Sequence, residues 1–87
     1  MATDAAAVID EIRKAIVHAG KLKIDPGGIG VDQKLYGPES LGLHSIDIFD
    51  LVTDLETRFG ITVTDEEIPK LNTITEIVAL LESRRNG

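Results

Sequence analysis

The sequence predicts an all-α protein, a small four-helix bundle with three main helices, a short helix before the last one and a long loop between the first two. Apolar residues recur three and four positions apart in three stretches, which is the spacing of one helix face. Only residues 61–63 alternate like a strand, and without a second strand to pair with we expect them to form an extended loop. The 87 residues are expected to form a single domain with a core of modest size.

The first helix is expected from about Asp4 to His18, with Thr3 or Asp4 as its cap and Gly20 as its stop. The loop that follows, residues 21–44, contains five of the eight glycines and two of the three prolines, which is typical of turns. A loop of this length is uncommon unless it is tied down or functional. We therefore expect its apolar residues to anchor it against the helices.

The second helix is expected from Ser45 to Phe59, with Gly60 at its C-terminal cap. Its predicted buried stripe has helical spacing, with Leu51 beside it. The stripe consists of Ile48, Phe49, Val52, Leu55 and Phe59.

Residues 65–68 predict a short helical turn that ends before Pro69. The last helix is expected to begin after Thr73, because a threonine followed three residues later by Glu76 matches the capping box. Residues 84–87 are expected to form a frayed end.

The net charge of −6 is concentrated in one part of the chain. Residues 44–70 carry seven acids and two bases, whereas residues 1–43 carry six acids and five bases. Such a concentration favours steering toward basic partners and argues against binding to nucleic acid, whose phosphates would be repelled. The alternative is that these acids only form the solvent-exposed face of a helix.

Composition narrows the remaining classes of function. Without cysteine, neither disulfides nor thiolate metal sites are available, and no metal site is expected from the two histidines. No apolar run approaches the roughly 20 residues of a membrane span, so stable membrane insertion is not expected. The first ten residues lack a positively charged leader, which predicts a cytoplasmic protein.

Ser45 is the candidate functional residue. A serine at a helix start presents its hydroxyl beside unpaired backbone N–H groups, and that position favours a phosphate ester. The simpler alternative is a serine that only caps the helix. A small hydrolase using Ser45 and His44 would need an orienting acid and an oxyanion hole, which this chain does not convincingly supply, so we expect no enzyme.

Residues 41–47, Leu-Gly-Leu-His-Ser-Ile-Asp, resemble the phosphopantetheine attachment motif of acyl carrier proteins, usually Gly-x-Asp-Ser-Leu-Asp. The helix that follows, the acidic segment at 64–67 and the start of the last helix at 71–74 resemble the same family in order and spacing. The resemblance covers about residues 35–81. His44 departs from it, because the family usually has aspartate before the serine.

The resemblance implies that Ser45 carries 4′-phosphopantetheine from coenzyme A, whose thiol holds acyl groups as thioesters, and that His44 is a candidate contact to the arm's phosphate. It implies an acidic face that basic patches on partner enzymes recognise, formed by Asp47, Asp50, Asp54 and Glu56. It also implies a pocket for the acyl chain, lined by Val52, Leu55, Val63, Ile68 and Leu71.

The partners implied are a phosphopantetheinyl transferase and enzymes that load, condense or transfer acyl groups in fatty-acid, polyketide or related lipid biosynthesis. The residues before the serine look more like discrete carriers of specialised clusters than like a housekeeping carrier. A monomer is expected. Two alternatives stay open: an aminoacyl or peptidyl carrier, and an unmodified acidic helical module that docks on a basic partner.

Overall fold

The computed structural model describes residues 5–85, with side chains through residue 84. In this part of the chain there is no strand, and the all-helical prediction is confirmed. The elements are the α-helices Ala5–Gly20 (α1), Ser45–Phe59 (α2) and Ile74–Arg85 (α3), and the 3₁₀ helices Pro26–Gly28 and Ile68–Lys70.

The short helix expected before the last one is only a turn at 65–67 followed by the second 3₁₀ helix, Ile68–Lys70. The prediction that this helix ends before Pro69 was wrong, because Pro69 lies inside it. Proline is tolerated in the first turn of a helix, where its missing N–H has no helical acceptor to lose.

Helix α1 continues two residues beyond the predicted end at His18, and its predicted caps lie outside the described residues. The left-handed residue that ends it is Lys21, with φ of 51°, and not Gly20. Gly20 is instead a point of close approach, since a Cβ there would lie 3.1 Å from Leu22 Cγ and 3.3 Å from Leu43 Cδ1. The glycine therefore lets the chain return closely over the helix end.

Helix α2 has the predicted bounds, and Gly60 adopts the left-handed conformation with φ of 65° that ends it. The prediction that Phe49 belongs to the buried stripe was wrong, because 55% of its surface is exposed. Phe49 follows Ile48 directly, and one residue turns the side chain by about 100° around the helix axis. The buried residues of α2 are Ile48, Leu51, Val52 and Leu55.

The core is aliphatic and draws on all three helices and on the long loop. Its fully buried large side chains are Ile12, Ile16, Ile29, Leu35, Leu51, Leu55, Ile74 and Ile77. Two of them, Ile29 and Leu35, come from the loop, as the sequence predicted, whereas Ile24 and Val31, expected to anchor the same loop, are exposed.

Hydrogen bonds fix the middle of the loop at two points. Arg13 Nε on α1 donates to the Ile29 carbonyl at 2.9 Å. Further along, Leu35 N donates to the Asn72 carbonyl at 2.9 Å and lies 3.0 Å from Asn72 Oδ1. The loop is thus tied to α1 and to the segment that precedes α3, which explains how it stays ordered at this length.

Helix α3 begins where the capping box predicted. Glu76 N donates to Thr73 Oγ1 at 3.2 Å, and the Glu76 carboxylate accepts a hydrogen bond from Asn72 N at 3.0 Å. The expectation of a frayed end from residue 84 was wrong for Arg84, which lies in α3, forms an ion pair with Glu67 and donates to the Thr62 carbonyl. Residues 86–87 lie outside the described residues.

The carboxylate of Glu67 connects α3 to the segment after α2. It accepts a hydrogen bond from Thr64 N at 3.0 Å and pairs with Arg84. The Thr64 N–H first, and the Arg84 guanidinium second, hold the pKa of Glu67 below its ordinary value of 4.5. The contacts of the ionised Glu67 carboxylate therefore stabilise the fold above pH 4.5. This stabilisation is lost as the pH falls through the lower pKa that Glu67 has in the folded state.

Replacing Glu67 with glutamine is therefore expected to lower the free energy of unfolding at neutral pH. Because protonation removes the same interaction from the native protein, the difference in unfolding free energy between the two proteins should shrink as the pH falls below about 4.5. Urea unfolding at a series of pH values measures the free energy of unfolding of both proteins. The control is Glu66→Gln, because Glu66 is a neighbouring exposed residue whose side chain has no ion pair or hydrogen bond among the described residues. A difference for Glu67→Gln that stays constant with pH would contradict the assignment.

Candidate functional site

Ser45 is the first residue of α2, and its side chain is exposed. The N-cap position belongs to His44, which has extended backbone angles of −92° and 169°. The Asp47 carboxylate accepts a hydrogen bond from His44 N at 2.9 Å, as expected when the cap is residue 44. Within residues 5–85 the Ser45 hydroxyl makes no hydrogen bond, so Ser45 is not the capping serine of the simpler alternative.

Two buried neighbours fix the position of Ser45. Leu43 precedes it and Ile48 follows it, and each is 6% exposed. Leu43 N also donates to the Leu35 carbonyl at 3.0 Å. The chain reaches Leu43 through Gly42, whose φ of 83° is accessible at little cost only to glycine. The serine is thus held at the surface by groups that are anchored in the core.

The first helical hydrogen bond of α2 runs from Ile48 N to the His44 carbonyl, at 3.1 Å. The backbone N–H groups of residues 45–47 precede this bond and have no helical acceptor. They lie at the positive end of the helix dipole, which stabilises a nearby anion by roughly 0.3–1 kcal/mol. A phosphate ester on the Ser45 hydroxyl fits this position both electrostatically and in access to solvent.

An open groove of about 500 Å³ begins at Ser45 and lies between the start of α2, the second 3₁₀ helix and the loop. Its size is within the range of small-molecule sites in proteins, and most of its walls are apolar. The lining residues are Tyr36, Gly37, Leu43, His44, Ser45, Ile48, Phe49, Asp65, Ile68 and Pro69.

The groove differs from the pocket that the sequence suggested. Of the five predicted lining residues only Ile68, which is half-buried, lines the groove. The other four belong to the closed core and are at most 8% exposed: Val52, Leu55, Val63 and Leu71. Ile68 also packs against this core, and the buried residues Leu43 and Ile48 line the groove as well, so the groove borders the core directly.

The four acids proposed as a recognition face have different surroundings. Asp47 is bonded to the cap, Asp54 pairs with Arg58 Nε at 2.9 Å, and Glu56 accepts a hydrogen bond from Val63 N at 2.9 Å. Asp50 alone among the four is exposed and makes no hydrogen bond or ion pair in the described residues. It is therefore the acid most available to a partner.

Sequence reasoning missed two exposed apolar side chains beside Ser45. Ile46 is 70% exposed and Phe49 is 55% exposed, on the side of α2 that also carries Asp50. The signal that could have found them is the helical spacing itself, since 46, 49, 50 and 53 share one face. Together with Asp50 they form a surface that is partly apolar and partly acidic.

The structure contains neither a cluster suited to a metal nor a helix suited to a membrane span in the part of the chain that it describes. No three histidine or acidic side chains there come close enough together to bind a metal ion. None of those helices has the length and apolar character needed to cross a bilayer.

Comparison with known proteins identifies the domain. Residues 6–81 match the family model described as the phosphopantetheine attachment site. This domain is the site at which acyl carrier proteins bear phosphopantetheine, so 4′-phosphopantetheine is the cofactor of the family.

Several acyl carrier proteins are similar to this chain over most of its length. That of Campylobacter hominis is 36% identical over 76 residues, which cover 87% of this chain and 91% of that protein. That of Wolinella succinogenes is 32% identical over 79 residues, 91% of this chain and 99% of that protein. That of Thermotoga maritima is 36% identical over 64 residues, which cover 74% of this chain and 76% of that protein. The chain therefore belongs to the acyl carrier protein family, whose members are carriers and not enzymes, and which work with phosphopantetheinyl transferases and acyl-handling enzymes.

Proposed function

We propose that this protein carries acyl intermediates on a 4′-phosphopantetheine arm attached to the Ser45 hydroxyl, and delivers them to enzymes of fatty-acid, polyketide or related lipid biosynthesis. The observation that carries the proposal is the exposed, unbonded hydroxyl of Ser45 at the start of α2, in a chain that matches the attachment domain. When attached, the arm supplies a terminal thiol for acyl groups, held as thioesters.

The residues around Ser45 fit such an arm. The hydroxyl is exposed, the N–H groups of residues 45–47 favour the phosphate, and the adjacent groove has a volume of about 500 Å³, enough for part of a chain. His44 also lines the groove, next to the attachment atom. A protonated His44 would add a positive charge close to the phosphate, which supports its proposed role as a phosphate contact.

The test of the proposal is intact mass after incubation with coenzyme A and a phosphopantetheinyl transferase. Attachment of the arm adds about 340 Da to the protein. A protein that never gains this mass, under conditions in which another carrier is modified, would instead be the unmodified helical interaction module. Loading of the modified protein with amino acids in preference to acyl groups would identify the aminoacyl or peptidyl carrier.

For partner binding, we propose that Asp50 together with Ile46 and Phe49 forms the central contact surface on α2. Exposed charge at the rim of an interface acts mainly on the rate of encounter, and exposed apolar side chains supply area that a partner can bury. Asp47, Asp54 and Glu56 add negative potential nearby, although each of them also stabilises the fold.

Changing Asp50 to lysine is expected to reduce kcat/KM for modification by a phosphopantetheinyl transferase about tenfold at low salt. The cause is a change from attraction to repulsion toward a basic docking patch, so the reduction should become smaller at high salt. Modification rates at two ionic strengths measure it. The matched control is Glu82→Lys, the same charge change at an exposed position on α3. Equal slowing by both variants would show an effect of net charge and would remove Asp50 as a specific contact.

The proposal has five further parts. The chain is taken as a single acyl-carrier domain over residues 1–87 that acts as a cytoplasmic monomer. Its helical arrangement is taken as that of a four-helix carrier, with the second 3₁₀ helix as the fourth helix. The buried residues Val52, Leu55, Val63 and Leu71, with Ile68, are taken as the lining of a pocket that opens for a longer chain.

A further inference from the structure

Tyr36 joins two walls of the groove that begins at Ser45. Its ring lines the groove, as does Pro69, and its hydroxyl donates a hydrogen bond to the Pro69 carbonyl with an O–O distance of 2.5 Å. The two residues are 33 positions apart in the sequence. The bond therefore connects the long loop to the second 3₁₀ helix directly beside the groove.

The loop itself does not depend on this bond. The backbone N–H groups of Leu35 and Tyr36 both donate to Asn72 Oδ1, at 3.0 and 3.1 Å. The Leu35 side chain is fully buried. These contacts hold Tyr36 in place whether or not the hydroxyl is present. The hydrogen bond from the Tyr36 hydroxyl to Pro69 therefore restrains the second 3₁₀ helix and not the loop.

That 3₁₀ helix is short, and it lies between the groove and the core. It has three residues, none of them buried, and single 3₁₀ turns have poor hydrogen-bond geometry. Ile68, its first residue, lines the groove on one side and packs against the core on the other. Movement of this helix away from α2 would let a chain in the groove reach the buried core residues.

We propose that Tyr36 determines the length of acyl chain that this protein can enclose. The inference rests on the proposed function of Ser45 as the attachment site. With the hydroxyl bound to Pro69, the 3₁₀ helix keeps Ile68 in place, and a short linear acyl chain is confined to the groove. A long chain is enclosed only when this bond opens and Ile68 moves aside. Tyr36 is in this sense a specificity-determining residue.

The expected effect of Tyr36 on chain enclosure is limited to the strength of one neutral hydrogen bond, the bond from its hydroxyl to the Pro69 carbonyl. Breaking such a bond near the surface changes an equilibrium between closed and open states about two- to tenfold. Loss of the hydroxyl should therefore favour enclosure of long chains by a measurable factor without unfolding the protein.

The test compares Tyr36→Phe with the native protein, each carrying the arm and loaded with either a butanoyl or a dodecanoyl group. Thioester cleavage by hydroxylamine reports enclosure, because a chain drawn inward shields its carbonyl. We expect cleavage of the dodecanoyl form to be about fivefold slower in Tyr36→Phe than in the native protein, and cleavage of the butanoyl form to be unchanged. The control is Ser40→Ala, which removes two hydrogen bonds within the same loop, one that the hydroxyl donates to the Gly37 carbonyl and one that it accepts from Gly42 N.

A second measurement uses the native protein alone. Tyr36 is its only tyrosine, and the chain has no tryptophan, so tyrosine fluorescence reports this one hydroxyl. Dodecanoyl loading should change that fluorescence more than butanoyl loading, because both chains enter the groove that Tyr36 lines but only the longer one opens the hydroxyl bond. Equal cleavage rates in native and Tyr36→Phe proteins at both chain lengths, or the same change in Ser40→Ala, would overturn the inference. The mass of each form is measured before cleavage, so a failure of arm attachment is recognised separately as a failure of the proposed function, which removes both claims.

Discussion

Replacing Ser45 with alanine is expected to abolish attachment of phosphopantetheine while leaving the helical fold intact. The hydroxyl is the proposed attachment atom, and in the structure it is exposed and makes no hydrogen bond within the described residues. The capping contact between His44 N and the Asp47 carboxylate does not involve it. Alanine also has the most favourable helix propensity, so the free energy of unfolding should change by no more than about 0.5 kcal/mol.

Intact mass after incubation with coenzyme A and a transferase measures the outcome, and circular dichroism with urea unfolding measures the fold. The other two serines provide the controls, since Ser40→Ala and Ser83→Ala should each still gain about 340 Da. A gain of the same mass by Ser45→Ala would remove Ser45 as the attachment site. A variant that is unmodified and also unfolded would contradict the structural argument that its hydroxyl has no stabilising role.

The sequence alone predicted the bounds of α2 because the signals for them are local. An apolar stripe at helical spacing extends from the serine motif to Phe59, and Gly60 supplies the left-handed residue that ends the helix. The start of α3 was predictable for the same reason, since the capping box needs only Thr73 and Glu76. The stop of α1 at Gly20 was predicted as well, but the close approach of Leu43 to this glycine was not, because Leu43 is distant in sequence.

The surroundings of the acids could not be read from the sequence for a related reason. Spacing placed Asp54 and Glu56 on a helix but could not show that Arg58 pairs with one and that Val63 N donates to the other. The same limit applied to Phe49, since the width of the buried stripe is set by what packs against the helix. Spacing predicts which residues share a face; tertiary contacts decide which of them stay free for a partner.

The groove and the predicted pocket differ for a physical reason. An aliphatic core closes on itself when nothing occupies it, because an empty cavity loses packing contacts. Val52 and Leu55 are accordingly buried, with 5% and 1% of their surfaces exposed, and the open space is the groove that Ile68 lines. The pocket therefore stays a prediction about the loaded protein, and octanoyl loading of a Leu55 variant tests it.

Replacing Leu55 with alanine is expected to destabilise the unmodified protein by about 3 kcal/mol. Leu55 is 1% exposed in the centre of the core, and leucine-to-alanine changes at such positions cost about 2–5 kcal/mol through lost burial and the cavity left behind. A chain of 87 residues is typically stable by roughly 4–13 kcal/mol, so the loss is a large share of the total. The melting temperature should fall by about 10–25 °C.

The same variant tests whether Leu55 lines the space that an acyl chain enters. If it does, an octanoyl chain can fill part of the cavity, and loading should restore more stability to Leu55→Ala than it adds to the native protein. Ile12→Ala is the control, because Ile12 is fully buried on α1 and lies outside the predicted pocket. Both variants should lose similar stability before loading, since each removes a buried aliphatic side chain. Selective recovery in Leu55→Ala would place the chain beside α2 in the core; equal recovery in the two variants, or none in either, would mean that the cargo remains in the groove outside Ile68.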